Sequence, residues 1–559
     1  MGKTAADPST GKSAAEFSDY ATTRRFIDVD GRRVHVRIMG CGPPAVFVHS
    51  SPANSSFVIP DMQPVADRLT CFAFDTPGFG LSDPLPNSEL TVPQLANALA
   101  KTLTAIGMPP CPVFGCHTGA AIALELAVRH PAQVTGLMLD SLSCFTAEEF
   151  AELDSGYFTK FPLDPLGGHF SAIWTRFRDQ STWFPWFARD AAALNESDLT
   201  SPAATNRWVT MFFDAQESYT PAYRAALTYR GGPAAVRRLT VPMVLTSVES
   251  DMLYPHLARV EPAHPEQEIV LVGDSVLARR ALSAATMIRF CGNGPAPIPP
   301  AAIGSSDRVL RQFVDVGENQ LLLRSVGDIH NPPILLVHDV PGSSMQAETT
   351  MIRLAGKHFV VAFDLPGCGE SPPLNHHTLT DYAAAIWSGV TELGLPNIAL
   401  AGIGLGSSLA VEMALREPAR TMSVQLDGLL LPDMDERTAL RACFAPAVAI
   451  EPDGSHWFRT WQMIRDMGIW WPWFRPEHSA LRRVEADFDA ASLHHRTRET
   501  LRQPNGYIAY VEAALNQDAA AALNRLQVAP YFVRESLNPL ATAYAAEMRR
   551  LCPAAEWVE

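Results

Sequence analysis

Gly115-Cys116-His117-Thr118-Gly119 centres a histidine between two glycines. The apolar run Pro112-Val113-Phe114 leads into it, and Ala120-Ala121-Ile122-Ala123-Leu124-Glu125-Leu126-Ala127 follows as a helical stretch. The histidine therefore stands where a strand hands over to a helix. A helix N-terminus carries about half a positive charge. That field disfavours a second positive charge on the ring, so a neutral imidazole is expected, able to act as base or nucleophile. A histidine here can equally fill a pocket that has lost its chemistry, or touch a ligand, and residue type alone leaves both readings open. The matching turn, Gly402-Ile403-Gly404-Leu405-Gly406, has glycine at its centre and offers no side chain at all.

That second turn belongs to an internal repeat, which governs how every element is read. His49-Ser50-Ser51-Pro52 recurs as His338-Asp339-Val340-Pro341, and Asp75-Thr76-Pro77-Gly78-Phe79-Gly80 as Asp364-Leu365-Pro366-Gly367-Cys368-Gly369, both 289 residues on. Trp174, Arg178, Asp179, Trp183 and Trp186 recur 287 residues on as Trp461, Arg465, Asp466, Trp470 and Trp473. Between the copies runs the proline-dense stretch 293–304, which reads as an extended linker. The expected order is a flexible tail over 1–23, a domain over 24–294, a linker over 295–306 and a second domain over 307–559. Within each copy, Ala45-Val46-Phe47-Val48 and Ile334-Leu335-Leu336-Val337 suit buried parallel strands. A second apolar run in each copy ends at Asp75 or Asp364. Strand, tight glycine turn, then helix is the unit of a doubly wound α/β sheet.

These residues resemble the α/β-hydrolase superfamily, whose pattern is H-G-x-P after one strand, then D-x-x-G-x-G-x-S, then a G-x-nucleophile-x-G elbow. Asp75 to Ser82 and Asp364 to Ser371 fit the middle motif. The resemblance covers nearly the whole chain. It implies an α/β fold of two tandem α/β-hydrolase-type doubly wound sheets, each with a helical cap insertion, at about 145–235 and 435–520. Fold does not carry function, so the sites are weighed separately. The resemblance implies serine, aspartate or cysteine at the elbow, where this chain has His117 and Gly404. After the late strand entered through Arg238–Leu245, Asp251 stands at the place of the triad acid. Glu268–Val272 is expected as the last strand, leading to Gly273-Asp274 where the family has glycine-histidine. Asp274 is therefore expected across the pocket from His117, orienting its ring, with Asp251 a second carboxylate. The backbone N–H groups of Ser51 and Thr118 match the family's oxyanion-hole positions, where one donor is worth about 3–4 kcal/mol to a reaction. In the second copy Glu535-Ser536-Leu537-Asn538 lacks an aspartate at the acid position, and no histidine follows through Trp557-Val558-Glu559.

The cap frame has two readings. His169, Arg178, Trp183 and Trp186 can line an aromatic pocket over the elbow, suited to a planar or anionic ligand. Alternatively they pack the cap onto the core, which explains why the copy without a nucleophile keeps the same frame. Among 559 residues, 44 Lys and Arg against 59 Asp and Glu give a formal charge of −15, which disfavours nucleic acid or an anionic membrane surface as partner. No apolar run approaches the roughly 20 residues needed to span a bilayer, and the start lacks the apolar core of a leader peptide. Nine scattered cysteines without a C-x-x-C pair suit reduced thiols in the cytoplasm. Neither a dinucleotide fingerprint nor a phosphate loop calls for an organic cofactor, and no metal-ligand spacing is present. The expectation is an atypical enzyme performing hydrolysis or general-base cleavage of a small ester or C–C substrate in the first domain. The second domain would be an inert partner, as in a dimer fused into one chain. The alternative is a pseudo-hydrolase that binds a small molecule or another protein.

Overall fold

The computed structural model describes residues 22–86, 89–195, 198–215, 218–299, 304–534 and 536–558. Most of the tail expected over 1–23, positions 300–303 of the linker, Glu535 and Glu559 lie outside the described residues. The chain divides into two compact units, one of residues 1–161 and 172–300, the other of residues 162–171 and 301–559.

In the first unit the strands are β1 (Thr23–Val29), β2 (Arg32–Met39), β3 (Pro44–Val48), β4 (Thr70–Phe74), β5 (Cys111–Cys116), β6 (Val134–Asp140), β7 (Met243–Thr246) and β8 (Gln267–Ile269). They form one sheet in the order β1-β2-β4-β3-β5-β6-β7-β8. β1 and β2 form an antiparallel pair, β2 runs antiparallel to β4, and the rest are parallel. The second unit repeats this with β9 (Ser306–Val316), β10 (Asn319–Gly327), β11 (Pro333–Val337), β12 (Phe359–Phe363), β13 (Ile398–Ile403), β14 (Thr421–Asp427), β15 (Pro530–Val533) and β16 (Glu556–Val558). Their order is β9-β10-β12-β11-β13-β14-β15-β16. The fold is thus two doubly wound α/β sheets, as the repeat implied. β3 and β5 are buried along their whole length, which is why both read as unbroken apolar runs. The cap helices, from Ala147–Asp154 to Gly232–Arg238 and from Met434–Cys443 to Ala519–Arg525, lie between β6 and β7 and between β14 and β15. Among the described residues, no helix is long and apolar enough to cross a membrane.

The Asp75 motif is a structural clasp. Asp75 leaves the end of β4, and its Oδ1 accepts from the Ser55 N–H at 2.6 Å while Oδ2 accepts from the Leu81 N–H at 2.8 Å and faces His35 Nδ1 at 2.8 Å. Burial alone would raise its pKa, but the His35 ring facing it, with smaller effects of His49 and Arg37, holds it well below the usual carboxylate range. In the second unit Asp364 does the same work with Arg324 in the place of His35, Nη1 to Oδ1 at 2.9 Å. The 289-residue offset thus reaches the partner, although the residue type has changed. Removing one member of a buried pair leaves an uncompensated polar group, so Asp75→Ala is expected to cost about 3–5 kcal/mol. Denaturant unfolding measures this, and a loss under about 1 kcal/mol would reject the clasp.

Candidate active site

The two glycine turns at the ends of β5 and β13 have the same geometry. His117 has φ 50° and ψ −114°, a left-handed conformation uncommon for a side-chain-bearing residue. Its N–H donates to the Asp140 carbonyl at 2.9 Å, and the helix Thr118–Arg129 starts at the next residue. A Cβ on Gly115 would strike the Gly119 carbonyl, and one on Gly119 would strike that of Val48. The flanking glycines therefore let strand, turn and helix close on one another. Gly404 has φ 55°, and its N–H donates to Asp427 at 3.0 Å. Strain at a side-chain-bearing residue costs energy and is retained where it serves a site.

His117 Nε2 lies 2.8 Å from Asp251 Oδ2, with the two side chains 36% and 17% exposed. No second hydrogen bond to the ring is found among the described residues, so Nδ1 is open. Asp251 is fixed by its own turn: its N–H donates to Val248, and its Oδ1 accepts from the Leu253 N–H at 2.8 Å. Burial pushes the Asp251 pKa up, but His117 and hydrogen bonds from Leu253 and Ser141 overcome this and bring it down to about 2. For the ring, burial favours the neutral form, and the facing carboxylate outweighs it, so the His117 pKa is raised. The expectation of a ring held neutral by the helix N-terminus is corrected: a carboxylate in hydrogen-bond contact acts more strongly than the helix field.

The expected His117–Asp274 pairing is also corrected. β8 ends at Ile269, three residues sooner than expected, and Gly273 turns with φ 63°. Asp274 emerges exposed, and its Oδ1 accepts from the Ser250 N–H at 3.2 Å and from the Ser250 hydroxyl. It thereby braces the turn that presents Asp251. Sequence reasoning missed Arg279, which sits under the elbow between two carboxylates. It pairs with Asp61 through Nη1 and lies 3.4 Å from Asp140 Oδ2 through Nε. Nothing in the repeat marked it. Cys116 is buried with its Sγ on the Val48 carbonyl, and burial holds its thiol well above the usual range. Among the described residues, no group of three His, Cys, Asp or Glu is arranged to hold a metal ion.

At the second elbow, Asp339 turns its carboxylate inward. Its Oδ1 accepts from the Val340 N–H at 2.8 Å and from the Leu405 N–H at 2.9 Å. These two donors correspond to Ser51 and Thr118, and Asp339 itself to Ser50. The second unit thus shows a carboxyl oxygen held by this donor pair, and burial raises the Asp339 pKa above its ordinary value despite these bonds. A Cβ on Gly404 would overlap the Asp339 carboxyl. His49 and His338 are buried and structural. Their Nε2 atoms accept from the N–H groups of Thr76 and Leu365, each at 2.9 Å.

The cap residues do not assemble as the pocket-lining reading requires. His169 is buried within the second unit: its Nδ1 accepts from the Asp164 N–H at 3.1 Å, and its Nε2 lies 3.1 Å from His494 Nδ1. Burial brings its pKa down to about 4. Trp183 forms an isolated bridge with Leu194. Trp186 is buried against Phe161 and Phe187. Arg178 is partly buried, and its neighbour Asp179 pairs with Arg189 at 2.6 Å. A cation that does sit among several aromatic rings is Arg176, buried over Tyr157, Phe177, Trp186, Phe212 and Tyr219 and donating to the Tyr219 hydroxyl at 2.7 Å. Its counterpart 287 residues on is Met463, so comparing the copies could not flag it.

Comparisons with known proteins agree with the two sheets. Residues 43–219 match the model described as alpha/beta hydrolase fold, and residues 334–559 the model described as alpha/beta hydrolase family. The acetyltransferase component of an acetoin-cleaving system from Cupriavidus necator is 33% identical over 124 residues, covering 22% of this chain and 33% of that protein. Haloalkane dehalogenase 2 of Mycobacterium tuberculosis is 26% identical over 132 residues, covering 24% of this chain and 46% of that protein. The chain thus spans less than half the length of these curated relatives. An esterase structure from Thermogutta terrifontis aligns over 48% of this chain and 97% of its own at 16% identity, with a TM-score of 0.34.

Proposed function

The chain belongs to the α/β-hydrolase superfamily in two tandem copies, and on that premise we propose that its first unit is a hydrolase-type enzyme working through His117 and Asp251. The observation that carries this reading is the 2.8 Å pairing of Asp251 with the elbow residue itself, which leaves Nδ1 open. With Nε2–H donating to Asp251, the Nδ1 lone pair takes a proton from water, and the resulting hydroxide adds to the carbonyl of a small ester or of a C–C-cleavable ketone. The oxyanion that forms meets the N–H groups of Ser51 and Thr118, the counterparts of the pair that holds Asp339 Oδ1. On collapse, Nδ1–H returns the proton to the leaving alkoxide or carbanion, so the products are an acid and an alcohol, or an acid and a ketone. Asp274 positions the Asp251 turn through Ser250. The second unit is read as catalytically inert, because Gly404 has no side chain and Asp339 already occupies the donor pair.

The pH dependence tests this assignment. A base must be unprotonated, so the rate is expected to rise with pH, with a midpoint above the ordinary histidine value of 6.5. Asp251→Asn removes the charge that raises the pKa and leaves burial, so the residual midpoint is expected to fall. A profile flat through this range, or a midpoint unmoved by Asp251→Asn, would reject His117 as the base. The stability contributed by His117 runs the opposite way with pH. The raised His117 pKa contributes stability fully present below 6.5 and lost as pH climbs through the folded value. The Asp251 contribution is present above 3.8 and lost as pH falls through about 2.

A further inference from the structure

The second unit contains a cavity of about 570 Å³ over its glycine elbow, within the range of small-molecule sites. His338, Asp339 and Leu405 line it on the elbow side, and Arg482, His495 and Arg496 on the cap side. Four lining groups hold buried polar atoms with no hydrogen-bond partner: Arg496 Nε, His495 Nδ1, Asp427 Oδ1 and Trp471 Nε1. An unmade hydrogen bond at a buried group is costly, and more so at a charged one. Among the described residues, neither Arg482 nor Arg496 has a carboxylate within ion-pair distance. The Arg496 charge is felt at Arg482, where after burial it helps to depress the pKa, and burial likewise lowers the Arg496 pKa. Arg482 spends its donors on the carbonyls of Met467 and Leu537. Two lining carboxyl groups act on Arg496 from a distance: Asp339 is committed to the Val340 and Leu405 N–H groups, and Asp487 accepts from the Asp489 N–H at 2.9 Å. Phe444, Trp471 and Leu540 supply apolar wall.

We propose that this cavity binds a small organic carboxylate, its anion on Arg496 beside Arg482, its apolar body against Phe444 and Trp471, and a hydroxyl donating to Asp427 Oδ1. A planar guanidinium is matched to a carboxylate in two-pronged geometry. The anion goes to the cap side because the donor pair at the elbow, where an α/β-hydrolase would bind charge, is already filled by Asp339. The inference stands apart from the reading of the first unit.

Titration of the full chain with 4-hydroxybenzoate, benzoate and methyl 4-hydroxybenzoate, followed by calorimetry and thermal melting, tests it. Both carboxylates are expected to bind saturably, the hydroxylated one more tightly, and the methyl ester at least about tenfold more weakly, the scale of one charge-assisted hydrogen bond. Arg496→Gln is expected to weaken 4-hydroxybenzoate by at least about tenfold. The same variant should leave ligand-free melting unchanged or higher, since an unpaired buried cation is removed, and leave first-unit turnover intact. Arg496→Lys keeps the charge and should retain part of the affinity. Equal binding of acid and ester, binding unchanged in Arg496→Gln, or no saturable binding by either acid would overturn the proposal. So would a lowered ligand-free melting temperature in Arg496→Gln with carboxylate affinity retained, which marks a purely structural arginine.

Discussion

His117→Asn is expected to lower kcat/KM by about 10²–10⁴-fold, the contribution of a positioned general base. Asparagine tolerates the left-handed backbone at this position better than most residues, so folding is retained and thermal melting serves as the control. Asp251→Asn is expected to fall in the same range, since it strips the ring of its orienting and charge-stabilising partner. Asp274→Asn separates the two carboxylates. Its role in bracing Ser250 predicts a loss within about tenfold, the scale of a misplaced supporting group rather than a missing one. The measurement is steady-state hydrolysis of p-nitrophenyl esters and cleavage of β-diketones by the full chain and each variant. The double variant His117→Asn with Asp251→Asn should lose little more than either alone, because residues acting as one unit are not additive. Full activity in His117→Asn would end the assignment.

Gly404→Ala is expected to destabilise the second unit by about 2–5 kcal/mol. About 1–2 kcal/mol of that is the left-handed backbone. The remainder, about 1–3 kcal/mol, is overpacking against the Asp339 carboxyl, which two N–H donors hold in place. Asp339→Gly alone leaves those donors unpaired, at about 1–3 kcal/mol. The double variant removes the overlap, so the two substitutions should couple by about 1–3 kcal/mol in a double-mutant cycle. Denaturant unfolding monitored on the tryptophan-rich cap gives the four free energies. Additivity within about 0.5 kcal/mol would mean that the carboxyl does not occupy the space a side chain needs. The pairing also suggests how this elbow came to hold glycine: a carboxylate in the donor pair and a side chain at the turn exclude each other.

Two histidines show where sequence reasoning reaches its limit. His117 was legible because its signal is local: apolar strand, flanking glycines and helix lie within one short stretch, and the backbone they impose is the one found. His169 keeps two readings in the sequence, pocket lining and packing, because its surroundings are not local. The repeat marked it as part of a cap frame, but a matching frame says only that both copies fold alike there. Its ring faces His494, a residue more than three hundred positions away. Arg176 escaped for the opposite reason: its counterpart is Met463, so the repeat offered nothing to compare.

The sequence by itself determined the two-copy architecture, the glycine elbows, the Asp75 and Asp364 motifs and the lack of a nucleophile at Gly404. All of these rest on residue type at short spacing, where backbone sterics and strand or helix period leave few outcomes. Only the tertiary structure decided which carboxylate faces His117, that the ring is pushed towards its charged form, and that Asp339 fills the donor pair of the second unit. Each depends on where a loop points after a strand ends. β8 stops at Ile269 and Gly273 turns Asp274 outward, while the Leu253 bond turns Asp251 inward. Electrostatic terms fall steeply with distance. A few ångströms of loop placement therefore select the partner, and no spacing along the chain encodes that distance.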